Sequence, residues 1–227
     1  MESILAELDR LPSTWHRSGT VGPRCLRALV RHAGPLPLLH SVETGCGKTT
    51  VLLSRLSRNH QVFSLDEDGS VSAVKALPFF DPATVEFVLG PTQRTLPVHR
   101  FERDLALVLL DGPHAFPFAE IEYWHLYPHV APGGLLVVDD IHIPTIHHLF
   151  DFLREDEMFR LLEVVEKTAF FRRTDAPTFD PFGEGWWLQR YNARRFPCTA
   201  HLALRDKILA HVSEHVAARL RRLVGRS

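Results

Sequence analysis

Five short apolar runs settle most of what this chain can fold into. Residues 36–42, 60–65, 85–89, 105–110 and 135–138 are rich in Leu, Val and Phe, and each is followed at once by glutamate, aspartate or glycine. Helical patterns fill most of the intervals between them. Strands that alternate with helices build a parallel sheet with helices on both faces, because each crossover must return over one face of the sheet. The run 105–110, Leu-Ala-Leu-Val-Leu-Leu, contains no polar residue, as a strand covered on both faces requires. The chain is therefore expected to be α/β and doubly wound.

The remaining segments complete the plan. Helices are expected near 48–56, 118–127 and 147–153, and Pro132-Gly133-Gly134 turns the chain into the fifth strand. Further on, 161–165, 168–173 and 186–191 read as strands whose short connections suit antiparallel pairing at the sheet edge. The stretch 175–185, rich in Pro, Phe and Gly, reads as a loop. Residues 1–35 form a helical preamble, 36–192 the main domain, and 193–227 a helical extension whose last helix covers 203–224.

Composition removes several classes of function. The formal net charge of the 227 residues is −1, so no global field recruits nucleic acid or a membrane surface. The basic tail Arg219-Leu220-Arg221-Arg222 reads as the solvated face of the last helix. No apolar run approaches the roughly 20 residues needed to cross a bilayer, and Met1-Glu2-Ser3 opens an acidic amphipathic segment rather than a signal peptide. Cys25, Cys46 and Cys198 are far apart and odd in number, without metal-ligand spacing, and read as reduced thiols of a cytoplasmic protein. Oligomeric state stays open at this level, a homo-oligomer included.

Chemistry concentrates in Val42-Glu43-Thr44-Gly45-Cys46-Gly47-Lys48-Thr49-Thr50. A glycine-paired turn between strand and helix lets backbone approach a ligand and aims free helix N–H groups at it, which marks a nucleotide-type cofactor site. Gly47-Lys48-Thr49 also spells the end of a phosphate-binding P-loop, with 135–140 available as an acidic strand for magnesium. That motif needs a further glycine five residues before the second one, and the position is Val42. A nucleotide hydrolase is the weaker alternative. Glu43, Asp66, Gly90, Asp111 and Asp139-Asp140 all fall just past the carboxyl ends of expected strands, the rim where open α/β sheets bind ligands.

In order and spacing these residues resemble the class I S-adenosylmethionine-dependent methyltransferases, in particular the small O-methyltransferase branch. Glu43-Thr44-Gly45-Cys46-Gly47-Lys48-Thr49 matches the first motif, and Asp66 the acid that ends the second strand. Asp111-Gly112-Pro113-His114 matches an Asp-Gly-x-His element, and Pro132-Gly133-Gly134 through Asp139-Asp140 the last. The match spans about 38–142. The resemblance implies a Rossmann-like, mostly parallel seven-stranded sheet with an antiparallel edge pair.

It also implies roles. Gly45 and Gly47 would admit the backbone to the cofactor, Glu43 would stand at its entrance, Thr49 would donate to its carboxylate, Asp66 would accept both ribose hydroxyls, and Gly90 would lie by the adenine, with Asp111 beside them. In metal-dependent members three acids hold a divalent cation such as Mg2+, which by matching are Asp111, Asp139 and Asp140, and oxygen donors suit a hard ion. His114 falls at the general-base position. The acceptor implied is a hydroxyl of a small molecule, sugar or phenol. A metal-independent enzyme and a catalytically silent binding module remain alternatives. His142 is expected at the surface or in the acceptor pocket, Trp186 and Trp187 in packing, and Phe179, Phe182 and Gly183 at an acceptor lid.

Overall fold

In a computed structural model that describes residues 1–12, 15, 21–65, 69–196, 200–210 and 216, seven strands form one sheet in the order β3-β2-β1-β4-β5-β7-β6. The strands are β1 (His40–Thr44), β2 (Asn59–Ser64), β3 (Val85–Leu89), β4 (Leu105–Leu110), β5 (Val130–Val138), β6 (Phe159–Val165) and β7 (Thr168–Arg173). Pairing from β3 across to β5 is parallel, and β7 and β6 add antiparallel at the edge. This is the mostly parallel seven-stranded architecture expected from the sequence.

Two strand bounds differ from expectation for backbone reasons. The first strand starts at His40 rather than residue 36, because Pro35 and Pro37 lack the N–H that ladder pairing needs. The fifth begins at Val130: Leu105 pairs with Val130 and Leu107 with Leu135, so Pro132-Gly133-Gly134 bulges out of a continuous strand instead of preceding it.

Alternation along the strands sends side chains to both faces. Leu107 and Leu109 of β4, with Leu135 and Val137 of β5, pack against α1 (Glu2–Arg10), α2 (Pro23–Ala33) and α3 (Lys48–Leu56). Val108, Leu110, Leu136 and Val138 pack on the other face against α6 (Phe118–Leu126) and α7 (Pro144–Leu153). The preamble helices α1 and α2 are thus part of the sheet's packing. The two-residue β6–β7 turn, with Glu166 at φ 56, sets the Glu166 carboxylate against Gly22 at the start of α2, favourably placed for a helix N-terminus. Cys25 Sγ donates to the Val165 carbonyl at 3.1 Å and ties α2 to the same hairpin.

Register brings the carboxyl tips level. Thr44 pairs with Leu110 and Leu110 with Val138, and the amide of Asp139 extends the ladder to the Leu110 carbonyl at 3.0 Å. The residues that follow, Gly45, Asp111 and Asp139-Asp140, therefore emerge side by side.

The chain divides into two compact units, Met1–Arg154 with Met158–Pro181, and Glu155–Glu157 with Phe182–Ser227. In the first, the segment after β7 is pinned down: buried Arg173 donates to the Thr174 and Ala176 carbonyls, and Tyr127 Oη to the Phe179 carbonyl at 2.9 Å. Phe179 packs against the core beside α6 and α7, which ties it down rather than leaving it in a lid.

In the second unit, the strand expected at 186–191 is absent. Trp186–Leu188 form a 3-10 turn and Arg190–Arg195 a helix, α8, before α9 (Ala200–Ala210). Three consecutive apolar residues lack the alternation of an edge strand with one face in solvent. Tyr191 and Arg195 instead stand at helical spacing, with the guanidinium 3.6 Å from the ring centroid. The expected last helix beyond residue 210 lies almost wholly outside the described residues. Phe182 is 86% exposed. No helix among the described residues is long and apolar enough to cross a membrane.

Phe171, fully buried on β7 against Phe150, tests the packing at the edge pair. Phe171→Ala is expected to lower unfolding free energy by about 3–5 kcal/mol in a urea titration, whereas Val164→Ala on the exposed side of β6 changes it by less than about 0.5 kcal/mol.

Candidate functional site

The turn after β1 is shaped by how closely β4 approaches it. Gly45 has φ 89 and its amide donates to the Phe63 carbonyl at 2.9 Å; a Cβ there would overlap the Asp111 carbonyl oxygen. Gly47 caps α3, with Thr49 buried in its first turn. Gly47 N–H donates to Thr50 Oγ1 at 2.9 Å, and that hydroxyl donates to Glu43.

Glu43 is fully buried beneath the turn, with His60 Nε2 3.2 Å from its Oε1 but not aligned for a hydrogen bond. From the entrance of the turn it braces Gly47 through Thr50. Lys48 is buried too, and its ammonium reaches the Leu11 carbonyl at the end of α1, at 3.3 Å. A P-loop lysine would face the loop's own amides instead.

The neighbouring tips continue the rim. Asp66 lies outside the described residues. Gly90, at φ 136, donates its amide to the Ser64 carbonyl at 3.0 Å, so the turn after β3 sits against the end of β2. Thr92 opens the short helix α5 (Thr92–Thr95) and is buried.

Past β4 and β5 the acids separate. Asp111, His114 and Asp140 each offer one ligand atom within 4.8 Å of the others, and among the described residues they form the group able to hold a metal ion. His114 Nε2 lies 3.1 Å from Asp140 Oδ2 and 4.0 Å from Asp111 Oδ1. Asp139, expected with Asp111 and Asp140, is not in this group. Its carboxylate accepts from Thr168 Oγ1 at 2.5 Å and lies 3.7 Å from Lys167 Nζ. His114 takes its place. Lys167 also donates to Asp140 Oδ1 at 2.6 Å. Asp140 holds φ 54, a left-handed backbone that costs a β-carbon residue about 1 kcal/mol. His142 is exposed, with Nδ1 3.6 Å from Asp140 Oδ1.

Electrostatics follow from this layout. Burial raises Asp111 above the usual carboxylate range, opposed by His114; 26% of its side chain still meets solvent, which tempers the rise. The nearby carboxylates of Asp111 and Asp140 raise His114 to about 10, which favours the imidazolium at neutral pH in this arrangement. Asp140 is drawn down to about 2 by His114, with Lys167 adding to the pull. Burial raises Asp139, against Thr168 and Lys167. Two cations thus face three acids. The two carboxylates suit a hard divalent ion, whereas an imidazole nitrogen suits a softer one, which leaves His114 to exchange its proton beside them.

A family model described as a methyltransferase domain matches residues 42–141, the segment that carries the glycine turn, the Gly90 corner and both acidic tips. This segment of the chain is thus similar to a methyltransferase domain. Its fold is similar to that of the O-methyltransferase TomG from Streptomyces achromogenes, involved in tomaymycin synthesis and solved with S-adenosylmethionine. The two share 15% identity over 77% of this chain and 91% of that one, with a TM-score of 0.58. Cofactor-bound Rv0187 from MTB shares 20% identity over 77% and 89%, with a TM-score of 0.58. MycE of the mycinamycin pathway, solved with Mg and S-adenosylhomocysteine, shares 16% over 78% and 58%, with a TM-score of 0.51. At these identities the likeness is one of fold. No curated protein matches the sequence.

Three residues of the rim or its support escape motif reading: Lys167 and Thr168, which brace Asp139 and Asp140 from the hairpin, and Glu122 on α6. The hairpin pair gives no signal in the sequence. Glu122 does, because Ala119, Glu122, Tyr123 and Leu126 are the buried stripe of α6 and one of the four is an acid. Burial raises Glu122 to about 7, with Thr92, Thr44 and His114 pulling the other way.

A carboxyl whose pKa is raised on folding binds its proton more tightly in the native state. Its penalty is absent below the unfolded value near 4.5 and grows as pH rises through about 7. Relative to wild type, Glu122→Gln is therefore expected to gain on the order of 3 kcal/mol of unfolding free energy between pH 4.5 and pH 8. Parallel urea melts across that range check the sign, and a flat difference would contradict it.

Proposed function

We propose that this protein is an S-adenosylmethionine-dependent O-methyltransferase that methylates a hydroxyl of a small molecule, assisted by a divalent cation such as Mg2+. The observation that carries the reading is the convergence of Asp111, His114 and Asp140 beside the Gly45–Gly47 turn on one rim of a methyltransferase domain. TomG, with S-adenosylmethionine, and MycE, with Mg and S-adenosylhomocysteine, support it.

When bound, the cofactor supplies a methyl group that is already electrophilic on a sulfonium, and a divalent cation lowers the pKa of an acceptor hydroxyl. The chain's task is placement and proton removal. Gly45 and Gly47 leave room for the cofactor's amino-acid part, Thr49 faces its carboxylate, Asp66 takes the ribose hydroxyls, and Gly90 borders the adenine. Asp111 and Asp140 would hold the cation, while Asp139, tied to Thr168 and Lys167, fixes the strand end behind them.

His114 accepts the acceptor's proton as a neutral imidazole. Its raised pKa depends on Asp111 and Asp140 as partners, and it would fall if those carboxylates were shared with a cation. The assigned catalytic domain is 36–192, with 1–35 as preamble and 193–227 as extension. Cys25 and Cys46, neither of them in a disulfide, suit a cytoplasmic setting.

Isothermal titration is expected to show binding of S-adenosylhomocysteine and none of ATP; tight ATP binding without the homocysteine compound would overturn the assignment. With an acceptor found by screening hydroxylated compounds, His114→Ala should lower kcat by about 10²–10⁴, and excess chelator should stop turnover. Near-normal kcat for that variant across neutral pH removes the base from His114, and activity in chelator removes the cation.

A further inference from the structure

Glu122 has no task in the reading above, yet it joins three of the turns that build the rim. It is 1% exposed, on the inner face of α6. Its Oε2 accepts from Thr44 Oγ1 at 2.8 Å, and that hydroxyl accepts from the Asp111 amide at 3.1 Å. The carboxyl also backs onto Gly112, where a Cβ would overlap it. Thr92, two residues past Gly90, sets its buried hydroxyl beside the same carboxyl without an aligned hydrogen bond. One side chain thus touches the end of β1, the turn after β3 and the turn after β4.

Packing does not explain it. Glu122 Oε1 makes no hydrogen bond, and an orphaned buried carboxyl oxygen weakens a fold. Methionine, of similar length and without the desolvation penalty, would fill the same space better. What methionine lacks is an acceptor for Thr44, and with it the relay to the Asp111 amide. Gly45 sits directly after Thr44 and Gly112 directly after Asp111, so the relay fixes how the turns after β1 and β4 sit against each other.

We infer that Glu122 is a positioning residue of the cofactor pocket, holding the turns after β1, β3 and β4 in the mutual placement the cofactor requires. This rests on S-adenosylmethionine being the cofactor. The test is titration of wild type, Glu122→Ala, Glu122→Met and Glu122→Gln with S-adenosylhomocysteine, alongside thermal melts.

Glu122→Ala and Glu122→Met should weaken binding at least tenfold, a loss in line with ångström-scale misplacement of binding groups. Glu122→Met should keep or raise Tm, and Glu122→Gln, which retains an acceptor for Thr44, should recover most of the affinity. In turnover assays the loss should fall on KM for the cofactor more than on kcat. Folded Ala and Met variants that bind within twofold of wild type overturn the inference and leave the assigned function standing. If both fail to fold, Thr44→Val, which cuts the same relay, must show the tenfold loss, and a twofold change or less overturns the inference. Wild type that does not bind S-adenosylhomocysteine removes the assigned function and this inference with it.

Discussion

The level ending of β1, β4 and β5 is the constraint on which everything else depends. Because Thr44, Leu110 and Val138 share one register line, the residues after them leave the sheet together. Parallel strands of an open sheet point their free carbonyl ends the same way, so short polar turns accumulate on one rim and helices close both faces. A slip of one residue in β4 would exchange Val108 and Leu110 with Leu107 and Leu109, reversing both apolar faces at once. The packing of about a dozen Leu and Val side chains therefore fixes where Asp111 and Asp140 stand.

Around that rim the protein buries charge in pairs and relays. Glu43 and Glu122 flank the end of β1, one reaching Gly47 through Thr50, the other reaching the Asp111 amide through Thr44. Asp139 is tied to Thr168, whose hydroxyl also lies 3.3 Å from Cys25 Sγ. Buried carboxylates in such numbers weaken folding unless each is well partnered, and Glu122 is not fully so. The positive φ of Asp140 adds to the same side of the ledger. Strain and desolvation collected at one edge of an otherwise apolar sheet mark where stability has been given up for geometry.

Much of this was legible in the sequence because strands buried on both faces write themselves as continuous apolar runs. The third and fourth strands match the expected residues at both ends, and the glycine turn follows the first strand as its spacing requires. Bounds slipped where proline or glycine altered hydrogen bonding, at 36–42 and at Pro132-Gly133-Gly134. The segment 186–191 misled because two Trp and a Leu in a row satisfy a strand propensity without the alternation a strand edge needs. At the rim, motif spacing located the acids but could not say which way each carboxylate points.

Sequence alone determined the α/β class, the glycine turn and the set of acidic strand ends, since apolar periodicity and chain order need no distant partner to be read. Tertiary structure decided the rest. It put His114 with Asp111 and Asp140, turned Asp139 toward Thr168 and Lys167, sank Glu43 beneath the turn and brought Glu122 against Thr44 and Gly112. Those outcomes depend on where strand ends are level and which side of a strand each carboxylate leaves. Contacts between residues dozens of positions apart set them, and no local pattern encodes such contacts.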